Sequence, residues 1–375
     1  MNSMQNRRRL ELIRVGTAIA IPGVLRNLGA DADSVIGKAG LSPEILADRE
    51  NVIPFVALAR LFDECVKATR CEHFGLLVGQ EASASSLGLV GLLVEHSPDV
   101  RAALKNLIRY LHLRDGRGVP TLEVTNGTAS LGYTIFETSI PGALEIVDWA
   151  VAAGFRIMRR LCGSLWQPIE VMLPRPRPQS TKAFDSLFEV PVRFGEERGA
   201  IIFSSEWLAH SVPGANPLIR KLLEDRIREL DVESFEAKLR RFVRTLVMTK
   251  QCSLVTAAEL FGIEPRSLAR RLEHEEIEFR KLVDEVRYEV SQHLIADTSL
   301  AMTQIAASLG YSEASAFTRA FRRWSGMTPM SWRAKHLTAR NGGSRNGSRA
   351  RAENSSAGIP KIVPHAPWQI CHAPS

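Results

Sequence analysis

The chain has 375 residues, more than one hydrophobic core usually serves, so at least two domains are expected. Its 45% hydrophobic and 24% charged residues are typical of an ordinary soluble protein, and no apolar run approaches the roughly eighteen residues of a membrane span. The N-terminus also lacks the apolar stretch and small-residue cleavage site of a secretory signal. We therefore expect a cytoplasmic protein with no membrane partner.

The net charge of +7 is distributed unevenly along the chain. Residues 1–20 and 341–375 contribute +3 each, residues 250–340 contribute +2, and residues 21–249 contribute −1. Basic ends permit a polyanionic partner but do not establish one, because a basic tail is more often only solubilising.

The first part of the chain contains several helical signals. Apolar residues recur at helical spacing in 54–70, 97–114 and 143–161, and the second of these segments opens with a Ser-Pro-Asp start signal. The apolar run SLGLVGLLVEHS at 86–97 is typical of a buried helix.

Strand signals lie between these helices. Leu122 and Val124 alternate with polar residues, Asn126-Gly127 follows, and alternation resumes at Leu131, which predicts a β-hairpin over 122–135. Shorter strands are predicted in IEVML and GAIIF, within the proline-punctuated segment 166–203. Mixed helices and strands predict an α+β domain.

Strand signals vanish after about residue 230, and the chain up to about residue 338 is predicted to be all helical. This change in class marks a domain boundary. The expected organisation is a basic N-terminal arm at 1–19, an α+β domain at 20–218, a linker at 219–233, an all-helical domain at 234–338 and a disordered basic tail at 339–375.

A weak internal repeat lies inside the helical block. AAELFGIEPRSLARRL at 257–272 and IAASLGYSEASAFTRAF at 305–321 share the order helix, glycine, turn and second helix, with Gly262 matching Gly310 at an offset of 48. One such pattern is common in helical proteins, but two copies predict two helix-turn-helix units. The apolar spacing of 278–297 predicts one long helix that joins them.

The chain resembles the AraC/XylS family of bacterial transcription regulators over about 235–335. The resemblance rests on AFTRAFRRWSGMTPMSWR at 316–333, on PRSLARRLEHE at 265–275 and on LVDEVR at 282–287. One departure is Glu275-Glu276, where members of the family commonly have Glu-Gly. A weaker resemblance, over about 20–218, is to the arabinose-binding-like effector domain of the ornithine/arginine-regulator subgroup.

This resemblance implies a sequence-specific DNA-binding regulator whose partners are double-stranded promoter DNA and a small-molecule effector. It implies a homodimer and an activator role, although neither domain shows whether transcription is activated or repressed. Contact with RNA polymerase stays open, and no cofactor or metal is expected.

The two recognition helices supply the predicted DNA contacts. Arginines that face away from the small cores suit bidentate pairing with guanine, and neighbouring arginines suit phosphates. The predicted base-reading residues are Arg266, Ala269, Arg270, Glu313, Ser315, Thr318 and Arg319, and the predicted phosphate-binding residues are Arg271, Arg322 and Arg323. For any single arginine, the alternative is a solvated surface charge.

The effector site is less specific in sequence. The run at 86–97 and the hairpin could line an apolar pocket or simply form core, and core is the commoner outcome. If there is a pocket, Arg109, Arg114 and Arg117 near its mouth suit a carboxylate ligand.

Two other classes of protein compete with a regulator. The chain has no GxxxxGK[ST], HExxH, GxSxG or strand-associated GxGxxG motif, so it is not expected to be an enzyme. DNA-repair methyltransferases carry a similar helical module, but they add a four-cysteine cluster that the scattered Cys65, Cys71, Cys162, Cys252 and Cys371 do not form. A scaffold that does not bind DNA is the other alternative.

Overall fold

The computed structural model describes residues 12–135, 140–297 and 300–335. Most of the predicted basic arm, at 1–11, and the predicted tail at 339–375 lie outside these ranges, as does Cys371. The other four cysteines are free thiols.

The N-terminal part is built from helices and strands in mixed order. Its helices are α1 Ile21–Asn27, α2 Ala32–Lys38, α3 Phe55–Thr69, α4 Phe74–Gln80, α5 Leu89–Glu95, α6 Val100–Tyr110, α7 Ala143–Cys162 and α8 Lys182–Phe188. Its strands are β1 Leu12–Arg14, β2 Val52–Pro54, β3 Val119–Thr125, β4 Thr128–Thr134, β5 Glu170–Leu173, β6 Val192–Phe194 and β7 Gly199–Ser204. The predicted α+β class is confirmed.

A five-stranded sheet with the order β3-β4-β7-β5-β6 forms the centre of this part. Only the β5-β6 pair is parallel, and β1 and β2 form a separate antiparallel pair. The predicted hairpin is present: β3 and β4 pair with Leu122 opposite Leu131, and Asn126 and Gly127 form the turn with φ of 47° and 80°. Positive φ at both central residues is the conformation that Asn-Gly favours.

Helix α7 covers one face of this sheet and packs closely on α4. A Cβ on Gly75 would lie 2.1 Å from the carbonyl oxygen of Glu145, and a Cβ on Gly79 would lie 2.5 Å from the Cβ of Ala152. Only glycine permits this approach of two helices, because any side chain would push them apart. The result is one continuous core between the helices and the sheet.

The C-terminal part is all helical, as predicted. It contains α9 Pro217–Leu230, α10 Phe235–Met248, α11 Leu254–Phe261, α12 Pro265–His274, α13 Phe279–Asp297, α14 Met302–Ser308 and α15 Ala314–Ser325. A second compact unit begins at Met330, and its described residues, 330–335, are helical.

The predicted linker at 219–233 is mostly helical. Helix α9 occupies 217–230, its Asn216 side chain caps the first turn, and Leu223 and Ile227 pack against Leu93 of α5. From 217 to 248 the chain is non-helical only at 231–234, between α9 and α10. Within the described residues, none of the helices has the length and apolar character needed to cross a membrane.

Candidate functional site

Two helix-turn-helix units, α11-α12 and α14-α15, share the same turn geometry. The amide of Ile263 donates to the carbonyl of Ala258 at 3.1 Å, and the amide of Tyr311 donates to the carbonyl of Ala306 at 2.9 Å. Ile263 and Tyr311 lie 48 positions apart, as do Ala258 and Ala306, which is the predicted offset. The glycine inside each turn, Gly262 or Gly310, has a positive φ of 70° or 81°, which glycine adopts without strain. The repeat is therefore structural as well as sequential.

Each unit seats its second helix on a small buried core. In the first unit Ala258, Leu268 and Leu272 are buried, whereas Ile263 is 37% exposed. In the second unit the largest buried side chains are Phe317 and Phe321, whose ring centroids lie 5.8 Å apart. These anchors leave the opposite faces of α12 and α15 outside the core.

The predicted base-reading residues occupy those opposite faces. On α12, Arg266, Ala269 and Arg270 are exposed. On α15, or at its N-cap in the case of Glu313, three of the four are exposed: Glu313, Ser315 and Arg319. The fourth, Thr318, is half-buried and its hydroxyl donates to the carbonyl of Ala314 at 2.8 Å. The structure thus presents two polar helix surfaces, each with at least one arginine.

The predicted phosphate-binding arginines differ in their surroundings. Arg322 is exposed in the last turn of α15. Arg323 donates to Asp284 of α13 at 3.0 Å, and Arg271 lies 4.2 Å from the ring centroid of Phe235, stacked as a cation over an aromatic face. Two of the three side chains therefore also hold helices together.

The end of α12 shows the effect of the Glu275-Glu276 departure. Glu276 has a φ of 56°, and its amide and that of Ile277 donate back to Glu273 and Leu272 at 3.1 and 2.8 Å. This is the turn that normally closes on glycine, and a side chain in this left-handed region costs about 1–2 kcal/mol. The chain therefore keeps this turn with a glutamate at the left-handed position, and the backbone there is strained.

The N-terminal part contacts both helix-turn-helix units at equivalent places. Arg109 of α6 donates to the carbonyls of Leu260 and Glu259, at 2.7 and 3.2 Å, and so caps the end of α11. The hydroxyl of Ser308, at the end of α14, donates to Glu197 at 2.6 Å. Leu260 and Ser308 are separated by the same offset of 48, so both units are held at the same point of their first helix.

The end of α6 also contacts α10. The carbonyl of Arg109 accepts a hydrogen bond from Arg241 at 3.1 Å, and Arg241 makes two further bonds to Glu233, at 3.1 and 3.0 Å. Beside them His112 lies 3.1 Å from Asp231, which also accepts from Lys238. One short segment, 109–112, thus connects the two parts of the chain.

His112, Asp231 and Glu233 lie close enough together to suggest a metal site. Both carboxylates already pair with cations, Lys238 and Arg241. Burial would raise the pKa of Asp231, but hydrogen bonds from His112 and Lys238 hold that pKa well below its ordinary value. Burial lowers the pKa of His112. The group is an ion-pair cluster built from protein charges.

A cavity of about 110 Å³ lies between α7, the hairpin and the end of α6. Its walls are mainly apolar, with contributions from Leu107, Leu111, Leu131, Ile157 and Ile201. Of the two segments expected to line a pocket, the hairpin does so with Leu131 to Tyr133, whereas the run at 86–97 contributes only Ser86 and Leu87.

The three arginines predicted at the pocket mouth do not converge on this cavity. Arg114 lines it, but its guanidinium donates to both oxygens of Glu50, at 2.7 Å each, and to the Ser86 carbonyl at 3.2 Å. Neither Arg109 nor Arg117 is among the described lining residues. Arg109 faces away because Leu107 and Leu111, one helical turn apart, direct the opposite face of α6 inward.

A buried ionic group lies on the other side of α7. Arg175 donates to Glu145 at 3.2 Å and also to Asp148, whose side chain is fully buried and whose Oδ1 has no hydrogen-bond partner among the residues that the structure describes. Burial and the nearby Glu145 carboxylate raise the pKa of Asp148 to about 7, because the lowering effect of the Arg175 guanidinium does not fully offset them. Two carboxylates with one cation leave an excess negative charge, which protonation removes.

Comparison with known proteins matches both parts. Residues 29–212 match the arabinose-binding N-terminal domain of AraC transcription regulators, and residues 257–335 match a helix-turn-helix domain. The chain is 26% identical over 329 residues to the HTH-type transcriptional regulator VirS of Mycobacterium tuberculosis, with 86% of this chain and 96% of VirS covered. It is 25% identical over 332 residues to the ornithine utilization regulator of Pseudomonas aeruginosa, with 86% and 96% covered. The crystal structure of CdpR from Pseudomonas aeruginosa covers 82% of this chain and 97% of its own at 21% identity and a TM-score of 0.41.

Proposed function

Because the chain belongs to the AraC-type helix-turn-helix transcription regulators, we propose that its two polar helix faces read the two parts of a promoter site while the cavity holds the controlling effector. The observation that carries this proposal is the repeated turn, with amide-to-carbonyl bonds at 263–258 and 311–306, which positions α12 and α15 in the same way on two separate cores.

Base reading is assigned to the exposed faces. Arg266 and Arg270 on α12 and Arg319 on α15 can each grip the two acceptors of a guanine, a contact that contributes about 1–3 kcal/mol of discrimination. Ala269 leaves room for a base methyl group, and Glu313, Ser315 and Thr318 offer shorter and less selective hydrogen-bonding groups. The second unit is therefore proposed to read its site more loosely.

Phosphate binding is assigned to arginines beside these faces. Arg322 is exposed and well placed for the DNA backbone. Arg323 keeps its hydrogen bond to Asp284, and Arg271 its stack on Phe235, so either would contact phosphate from a side chain already fixed by its neighbour. Such contacts add affinity that depends on salt and carry no direct sequence information.

Control by the effector is proposed to pass through α6. This helix lines the cavity with Leu107, and with Leu111 just after its end, and caps α11 with Arg109 on the other face. A ligand that displaces the inner face therefore moves the cap. The second contact, from Ser308 to Glu197, involves the loop before β7. Strand β7 itself lines the cavity through Ile201.

The working form is proposed to be a homodimer. Leu218 and Leu222 lie one turn apart on α9 and are 68% and 62% exposed, which gives that helix an apolar strip suited to a second copy. Activation of transcription, with RNA polymerase as a further partner, is proposed from 30% identity over 110 residues to the transcriptional activator AggR of Escherichia coli.

The chain is also proposed to act in the cytoplasm, where promoter DNA lies, and to work by binding and not by catalysis. The family of its relatives supports both points. The alternative of a methyltransferase with the same helical module would need a cysteine cluster that the four described, free thiols do not provide.

Footprinting of the full-length protein on DNA upstream of its own gene and of the neighbouring operons tests this proposal. The expected result is two protected regions about one helical turn apart on one face of the duplex. Protection that is uniform along the DNA, or none at low salt, would contradict a sequence-specific regulator.

Sedimentation of the same protein, compared with Leu222→Arg, tests the dimer: the variant should be monomeric.

A further inference from the structure

The polar end of the cavity is electrically balanced. Arg14 and Arg114 both pair with Glu50, whose oxygens lie 3.3 and 2.7 Å from their respective guanidinium nitrogens. Asp115 accepts hydrogen bonds from the Tyr133 hydroxyl and from two backbone amides. The two lining cations thus share the half-exposed Glu50 behind the wall, and the lining carboxylate of Asp115 is bonded by neutral donors.

A charged ligand fits such a wall poorly. A ligand carboxylate at the buried Arg114 would have to displace its existing bonds to Glu50, Arg49 or Ser86, and an ammonium at Asp115 would displace the Tyr133 hydrogen bond. A charged ligand would lose its own hydration on entering the cavity, and each contact it made would replace a hydrogen bond that already exists, so the new contacts would return little of that cost. The remainder of the lining is apolar, so the site favours a neutral molecule.

One polar group of the lining is without a partner. Trp149 of α7 lines the cavity, and its indole Nε1 is buried with no hydrogen-bond partner in the described protein. An indole nitrogen can only donate, so an acceptor on the ligand would satisfy it. The ring itself is fixed against Phe62, with centroids 5.9 Å apart.

We propose that the cavity binds a neutral, largely apolar molecule that carries a hydrogen-bond acceptor, such as a ketone, lactone or ester, of roughly ten non-hydrogen atoms. This inference rests on the proposed function, since it names the chemical class of the effector. It replaces the carboxylate ligand that the arginine pattern alone suggested.

Calorimetric titration of the full-length protein tests the ligand class with three probes of similar size. The neutral ketone 2-nonanone is expected to bind saturably, and octanoate and L-ornithine at least tenfold more weakly. Octanoate or ornithine binding as tightly as the ketone would overturn the proposal, and so would the absence of saturable ketone binding.

Variants of α7 test whether the ligand binds in this cavity. A Cβ on Gly154 would lie 3.4 Å from Ile201 and 3.8 Å from Leu131, both in the lining, so Gly154→Leu should fill the cavity and abolish ketone binding. If that variant does not fold, Ala150→Leu serves the same purpose from the same wall. Ketone binding that survives a folded cavity-filling variant would overturn the site.

The acceptor is tested by Trp149→Phe, which removes the donor and keeps an aromatic ring. Ketone affinity should fall about fivefold, as expected for one net hydrogen bond, while Arg156→Ala, exposed on the same helix, should change nothing. An unchanged affinity in Trp149→Phe would overturn the assigned contact. Promoter binding by every variant, measured without ligand, separates failure of this proposal from failure of the regulatory function.

Discussion

Arg109 donates from Nε to the carbonyl oxygen of Leu260 at 2.7 Å, across 151 positions of sequence. The donor lies on the last helix before the hairpin and the acceptor at the end of the first helix-turn-helix helix. The carbonyls at a helix end have no hydrogen-bond donor within the helix, and the guanidinium supplies these donors.

Removing the contact that the N-terminal part makes with each helix-turn-helix unit should uncouple the unfolding of the parts. Wild-type protein is expected to unfold in one calorimetric transition, and Arg109→Ala combined with Glu197→Ala in two, because each contact links a different helix-turn-helix unit to the N-terminal part. Differential scanning calorimetry measures this. Arg101→Ala, exposed on the same helix as Arg109, is the control. A double variant with one unshifted transition would show that these bonds do not couple the parts.

Arg270→Ala and Arg322→Ala should weaken DNA binding in different ways. Loss of Arg270 should cost about 1–3 kcal/mol on the specific site and much less on unrelated DNA, since a base contact discriminates between sequences. Loss of Arg322 should weaken both about equally and reduce the salt dependence by about one phosphate contact. Fluorescence anisotropy at several salt concentrations measures both effects. Equal loss of selectivity in the two variants contradicts the assignment.

Glu276→Gly should stabilise the protein by about 0.5–1 kcal/mol. Glycine relieves the left-handed strain at φ 56°, which is partly offset by the greater freedom of glycine in the unfolded chain. Urea unfolding measures the change. Glu275→Gly is the matched control, since Glu275 has a φ of −89° and its replacement should only destabilise. Equal effects at the two positions would argue that strain is absent.

Asp148 should make stability fall as the pH rises. Its folded pKa, about 7, lies above the unfolded value of about 3.9, so the folded state binds the extra proton. The stabilisation is complete below about pH 4 and is lost as the pH rises through about 7. Asp148→Asn, which mimics the protonated acid, should flatten this decline and gain about 1–3 kcal/mol at pH 8.

Urea unfolding between pH 5 and pH 8 measures the effect of Asp148→Asn. The exposed Asp33→Asn should keep the wild-type slope. An unaltered slope in Asp148→Asn would show that Asp148 remains charged beside Arg175 throughout this range.

Local signals predicted much of this fold. The hairpin followed from Asn126-Gly127, whose turn needs positive φ at both positions, and the two units followed from the spacing of Gly262 and Gly310. The predicted connector at 278–297 matches α13 within one residue. In each case a few neighbouring residues determine the conformation, so no knowledge of tertiary contacts was needed.

Long-range pairings could not be predicted in the same way. Arg109 was grouped with Arg114 and Arg117 because they are close in sequence, yet a helix directs positions 107 and 109 to opposite faces. Its partner lies in another part of the chain, and Glu50, which neutralises Arg114, is 64 positions away. A charge pattern shows which side chains are available and leaves open which ones already have partners.

Helix α13 fixes the rotation of the second helix-turn-helix unit relative to the first about the helix axis. Its 19 residues extend about 28 Å at about 1.5 Å per residue. One inserted residue would rotate everything beyond it by about 100°, turning α15 away from the side of the duplex that α12 faces. Seven inserted residues, about two turns, would restore the direction but lengthen the span by about 10 Å. The distance between the two parts of the operator should therefore be fixed, because a rigid α13 can follow neither one inserted base pair nor a whole inserted helical turn of DNA.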